Sequence, residues 1–219
     1  MTAAADRTGA TAANAPAVVL AHPLGNQFFR QLALALQRDG RLAEACTCID
    51  WRPGIVARML PRRLAEELGR RDFSTALGIP VAAHPWREWG RLLAGRAGWT
   101  ALTRHETGAF SVDAVQRDFD AWVAKRIERR GGEGTIYAYE DAAEASFDAA
   151  ARIGWRKVYD LPIAYWETSH RLLAEEAQRW PAWEATLEST RNSPAKLARK
   201  TRELELADLV VCPSRFVAD

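Results

Sequence analysis

Ala17-Val-Val-Leu-Ala21, then His22-Pro-Leu-Gly25, then Asn26 followed by Phe28, Phe29, Leu32, Ala33 and Leu36 reads as strand, turn and helix. The apolar run is short, as expected of a strand buried on both faces. The later apolar residues recur at three- and four-residue steps, the spacing of a helix with a broad buried face. Asp39-Gly40 stops the helix, and Ala45 to Asp50 reads as a second strand. The same unit returns downstream. Ser111 opens a helix carrying Val112, Val115, Phe119, Trp122, Val123 and Ile127, which Gly131-Gly132 ends. Thr135 to Tyr139 is a strand, and Asp141-Ala-Ala-Glu144 has the cap-plus-glutamate pattern of a helix start. That helix runs to about Arg152, Trp155 to Tyr159 is a strand, and Trp166 to Arg179 is helical. Ser193-Pro194 caps a basic helix to about Leu206, and Asp208 to Cys212 is a last strand. Alternating strands and helices predict an α/β protein, an open parallel sheet with helices on both faces.

The stretch from about 52 to 110 fits this alternation least. Pro53 to Arg71 is arginine-rich and helical around Pro61, and Trp86, Trp89, Leu92 and Leu93 fall at helical spacing, so the region reads as a helical insertion rather than a repeated unit. Residues Met1–Pro16 are Ala/Thr-rich and lack the basic start and apolar core of a secretory signal, and read as a disordered leader. No apolar run approaches the ~20 residues that span a bilayer. The net charge of +2 over 219 residues demands no nucleic acid. The arginines from Arg52 to Arg71 fit either a solvated helix face or a peripheral contact with an anionic membrane. Cys46, Cys48 and Cys212 lack metal-ligand spacing and read as small hydrophobes of a reducing cytoplasm. No metal or cofactor is expected.

In an open parallel sheet, ligands bind beyond the carboxyl ends of the strands. Four segments fall there: His22 to Asn26, Tyr139 to Asp141, Pro162 to Trp166, and Pro213 to Phe216. Gly25-Asn26 permits close backbone approach and offers helix-start N–H groups to an anion, yet it also fits an ordinary strand–helix turn. Glu140 and Asp141 are the most chemically loaded pair. Asp141 fits a helix cap, and either carboxylate fits a group that orients or deprotonates a hydroxyl. His22 and His170 lie nearest the expected cleft, with Tyr139, Trp166 and Ser214 on its border. No HExxH and no serine nucleophile elbow is present.

At these residues the sequence resembles a known family. His22-Pro-Leu-Gly-Asn26 with Phe28-Phe-Arg30, Tyr137-Ala-Tyr-Glu-Asp141 with Phe147, Leu161-Pro-Ile-Ala-Tyr-Trp166, and Glu203 through Val217 with its Ala-Asp, apolar strand and Ser-x-Phe look like the N-terminal domain of bacterial family 4 glycosyltransferases. The likeness spans most of residues 17 to 219 and is weakest from Arg52 to Gly98. It implies the N-terminal half of a GT-B fold, two Rossmann-like domains facing across a cleft. It implies retaining, metal-independent transfer of a sugar from a nucleotide-sugar. The first domain would hold a glycan or lipid-linked acceptor. Gly25-Asn26 would border the donor phosphates, Asp141 or Glu140 would lie near the acceptor hydroxyl, and Ser214 would face the second domain.

Two departures from the family are visible. The first loop has one glycine rather than a glycine-rich run, and no donor-binding second domain is present in these 219 residues. Ser214 reads as the cap of a helix that five remaining residues are too few to complete, so the sequence reads as a fragment, a truncated product or half of a split enzyme. The chain alone is expected to bind a nucleotide-sugar poorly. The competing expectation is a non-catalytic Rossmann-like module that binds a glycan or a protein.

Overall fold

The computed structural model describes residues 17–52 and 62–218. The expected leader and the 53–61 part of the arginine-rich stretch lie outside these residues. Six strands form one sheet: β1 (Ala17–Ala21), β2 (Leu42–Thr47), β3 (Val81–Ala83), β4 (Gly134–Tyr139), β5 (Arg156–Asp160) and β6 (Leu209–Val211). Their order is β3-β2-β1-β4-β5-β6, and every neighbouring pair is parallel. The chain builds outward from β1 to β3, then returns to start β4 on the other side of β1. That reversal defines a Rossmann-like sheet and puts its switch point between β1 and β4.

The helices are α1 (Gln27–Arg38), α2 (Arg62–Gly69), α3 (Ser74–Leu77), α4 (Trp86–Arg96), α5 (Thr100–Thr103), α6 (Val112–Arg130), α7 (Glu144–Arg152), α8 (Trp166–Arg179), α9 (Pro194–Leu206) and α10 (Arg215–Ala218). Two short 3-10 segments, Pro181–Thr186 and Glu188–Arg191, link α8 to α9.

Period-two alternation in β1 assigns its side chains to two cores. Leu20 packs with Phe29 and Ala33 of α1, Ala45, Phe73 and Ile79 on one face. Val19 and Ala21 pack on the other with Cys46, Ile136, Ala138, the α6 residues Val115, Phe119, Val123 and Ile127, and Phe147 of α7. The first helix starts where the sequence places it: Asn26 is extended, at φ −131°, and its side chain accepts from the Phe29 N–H at 2.8 Å. Ser111 and Ser193 cap α6 and α9 in the same way.

Three expectations need correction. The second strand covers Leu42–Thr47 rather than 45–50, because Leu42 already pairs with Val18 while the Cys48 N–H has turned to the Pro23 carbonyl. The region read as a helical insertion contains β3, which pairs with β2 from Ala45 to Thr47. Three residues after a proline are too few to show alternation. Asp141 does not cap α7, whose N-cap position is Ala143 without a side-chain bond. The first N–H groups of α7 are met from other helices instead. Asp120 of α6 accepts from Ala145 and Ser146, at 2.6 and 3.0 Å. Glu203 of α9 accepts from Asp141 and Ala143, at 2.9 and 3.2 Å.

Candidate functional site

Because all strands run one way, the loops after β1, β4, β5 and β6 share the carboxyl rim of the sheet. At the switch point His22, which follows β1, lies against Tyr139, the last residue of β4, with ring centroids 4.1 Å apart. His22 Nδ1 accepts the backbone N–H groups of Leu24 and Gly25, at 3.2 and 3.0 Å. Nδ1 is therefore unprotonated, and the neutral ring carries its hydrogen on Nε2. Burial lowers the His22 pKa from 6.5 to about 4, which keeps the ring neutral. Nε2 is buried without a hydrogen-bond partner among the described residues.

This turn changes the meaning of Gly25. Its φ is +60°, and a Cβ built there would lie 2.3 Å from Cζ of Phe73. Packing on Phe73 already requires the glycine, and two of the loop's N–H groups point inward to His22. The start of α1 still borders an open depression of about 640 Å³ with Arg30 and Arg70 on its wall.

Beside the switch point, Glu140 and Asp141 meet the inner face of α9. Glu140 is buried and its carboxylate lies 2.7 Å from Lys200 Nζ. Burial raises the Glu140 pKa, against the pull of Lys200. The same ammonium reaches Asp141 Oδ2 at 3.1 Å, and Arg199 reaches Asp141 Oδ1 at 3.5 Å. Asp141 adopts φ +69°, a left-handed conformation that aspartate reaches more readily than most residues. Glu203, 0% exposed, holds that conformation through its bonds to the Asp141 and Ala143 N–H groups and to Tyr159 Oη at 3.1 Å. Burial first, then the charge of Asp141, pushes the Glu203 carboxyl up to about 7.

The network continues outward into a cavity of about 460 Å³ between the starts of α6 and α9. Glu106, Asp113, Arg117, Glu144, Lys196 and Arg199 line it. Lys196 lies 2.8 Å and Arg199 3.6 Å from Asp113 Oδ1. Burial opposes ionisation of Asp113, but these two cations hold its carboxyl below the usual range. Glu106, at φ +55°, accepts the Ser193 N–H at 2.8 Å. Cationic donors and carboxylate acceptors thus line one cavity, a lining suited to a polyhydroxylated ligand.

The other sequence candidates sit in a second group. Trp166 Nε1 donates to Thr201 Oγ1 at 3.1 Å, beside the Tyr165 Oη–Thr201 contact at 2.7 Å. His170 packs edge-on to Trp166, 6.0 Å between centroids. Lys200 and Thr201 are neighbours on α9, so this helix ties the loop after β4 to the loop after β5. Ser214 is exposed beyond β6, its carbonyl accepting from Val217 and Ala218. Tyr165 and Phe216 line a shared cavity of about 480 Å³ that brings the loops after β5 and β6 together.

Sequence reasoning passed over Lys196, Arg199, Lys200, Glu203, Asp113 and Arg117. One signal was present. Lys196, Lys200 and Glu203 are spaced by four and three, so one α9 face carries charges that lie inside. Charges at such spacing are ordinarily read as solvated.

Among the described residues no group of three or more histidine, cysteine, aspartate or glutamate side chains could hold a metal ion. No helix among them is long and apolar enough to cross a membrane. The chain is an α/β protein with a six-stranded, all-parallel, Rossmann-like sheet and a charged rim. No protein-family model, no curated protein and no solved structure matches it.

Proposed function

We propose that this chain is the acceptor-side domain of a GT-B-type glycosyltransferase, resembling family 4 enzymes, that receives a glycan or lipid-linked acceptor for retaining, metal-independent transfer from a nucleotide-sugar. The observation that carries this reading is the placement of Asp141. It sits at the carboxyl end of the strand beside the switch point, in a left-handed conformation, in contact with Arg199, which lines the polar cavity. The acceptor sugar occupies that cavity and reaches from it past Arg199 to Asp141, which does not itself line it. Asp141, immobilised by Lys200 and Arg199, keeps lone pairs that can accept from the acceptor hydroxyl. Glu140, buried on Lys200, supports this arrangement from beneath rather than touching substrate. In this reading a facing second domain binds the nucleotide-sugar donor, and the leaving diphosphate takes the hydroxyl proton. Placement in the cytoplasm, with a peripheral membrane contact through the arginines between Arg52 and Arg71, completes it.

One observation favours the alternative of a non-catalytic glycan-binding module. The Leu24 and Gly25 N–H groups, which a donor phosphate would use, are bonded to His22. The test mixes the purified chain with labelled nucleotide-sugars and with soluble and lipid-linked glycans, with and without a separately supplied donor-binding domain. Labelled acceptor that forms only when both parts are present supports the transferase. Tight acceptor binding without transfer under either condition supports the module, and absence of acceptor binding sinks the transferase and the glycan-binding form of the module.

A further inference from the structure

The carboxyl rim extends beyond the switch point to its outer strand. β3 ends at Ala83, and His84 and Trp86 follow. Three β-sheet spacings separate the ends of β3 and β4, about 14 Å, so this group lies well away from Asp141.

The His84 ring is fixed on two sides. It stacks on Trp122 of α6, with centroids 5.2 Å apart and 12° between planes. Its Nε2 lies 2.9 Å from Asp118 Oδ2. Asp118 Oδ1 in turn faces Arg87 Nε at 3.3 Å. A carboxylate only accepts, so Nε2 carries the hydrogen of this contact. In the neutral ring Nδ1 is then an acceptor, and it makes no hydrogen bond among the described residues. Trp86 Nε1 sits 3.2 Å from the same Nε2. The indole N–H is aimed at the histidine ring rather than at solvent, so what Trp86 offers a ligand is its ring. Trp86 itself is 50% exposed, with Arg87 over its ring at 4.4 Å and Phe110 edge-on at 6.5 Å.

A solvent-facing aromatic surface and one ring-nitrogen acceptor lie within two residues of each other. Asp118 beside them disfavours an anionic ligand. Hydroxyl groups both give and take hydrogen bonds, and the C–H faces of a pyranose pack on aromatic rings. We infer that Trp86, His84 and Asp118 form a second saccharide position at the β3 end of the rim. One pyranose ring lies on the indole, and a hydroxyl donates to His84 Nδ1. This deepens the acceptor reading, because it requires an acceptor longer than one sugar residue, reaching along the rim from the cavity between the starts of α6 and α9. Asp118 acts through His84 by fixing its ring.

The test titrates the full chain with the methyl α-pyranosides of glucose, mannose and galactose, following the indole N–H resonance of Trp86, assigned by its loss in Trp86→Phe. At least one probe moves that resonance with saturable, millimolar affinity. Trp86→Ala weakens binding about tenfold, and His84→Ala weakens it several-fold. Trp86→Phe, which keeps a ring, retains most of the affinity, read by saturation transfer to the probe. Unchanged circular dichroism separates these effects from loss of fold. No probe moving Trp86, or binding equal in Trp86→Ala and the parent chain, overturns the inference. Probe binding abolished by Glu144→Ala but untouched by Trp86→Ala removes this second position while leaving the acceptor reading standing. Trp86-dependent binding in a chain that shows no transfer with any donor domain keeps this position and removes the transferase.

Discussion

Glu203→Gln should make the protein markedly more sensitive to mild acid. His22 and Glu203 are both buried at the rim, and their titrations oppose each other. For His22 the folded pKa is depressed, from 6.5 to about 4. The unfolded chain therefore binds the extra proton first, and stability falls as pH drops below 6.5. For Glu203 the folded pKa is raised, from 4.5 to about 7. There the folded chain binds the proton first, and stability rises as pH drops through 7 toward 4.5. Integrated from about pH 7 to about pH 5, each effect amounts to about 2 kcal/mol, with opposite sign. The parent chain should thus show a nearly flat contribution from this pair across that interval. In Glu203→Gln only the His22 term remains, so the variant should lose about 2 kcal/mol more than the parent over the same interval. Urea denaturation at several pH values measures it, the comparison being the slope against pH rather than the absolute stability. The substitution also removes one acceptor for the Asp141 and Ala143 N–H groups, which lowers stability at every pH without changing the slope. Parallel curves for parent and variant would refute the burial argument for Glu203, and a variant curve flat from about pH 7 to about pH 5 would refute it for His22.

Three further outcomes follow from named contacts. Gly25→Ala should cost about 3 kcal/mol in denaturant unfolding, combining left-handed strain with overpacking against Phe73, and near-neutral behaviour would mean that the loop relaxes freely. Phe119→Ala, truncating a ring with 0% exposure in the larger core, should cost about 3–5 kcal/mol by the same measurement. In a reconstituted transfer assay, Asp141→Asn should reduce turnover more than it reduces thermal stability, whereas equal turnover would remove Asp141 from the mechanism.

Much of the architecture was legible where local chemistry and tertiary packing agree. Asn26, Ser111 and Ser193 cap helices that were expected to start there, because a cap is decided within four residues. β1, β4 and β5 could be read as short segments between turns, and their shared direction follows from the helices between them. β3 was missed because its three residues are held by pairing to Ala45, Cys46 and Thr47, which no local pattern records. The Asp141 motif misled for a related reason. It has the composition of a cap, but the helix starts two residues later, and Asp120 and Glu203, distant in sequence, accept from the N–H groups of Ala143, Ala145 and Ser146. At the rim, the loops after β1 and β4 were placed correctly by topology. Their charged partners on α6 and α9 were not, since buried ion pairs look like solvated charge until the facing carboxylates are known.

The first turns of α6 carry three acids that serve three separate places. Asp113 binds Lys196 and Arg199 at the cavity, Asp118 fixes His84, and Asp120 closes the start of α7. One rigid rod thus sets the geometry of both ends of the rim at once. A small rotation of that rod would misalign all three attachments together, so compensating changes must arise in concert rather than singly. Diversification of this surface is freer in the aromatic and hydroxyl-bearing residues that project from it than in the helix that holds them in register.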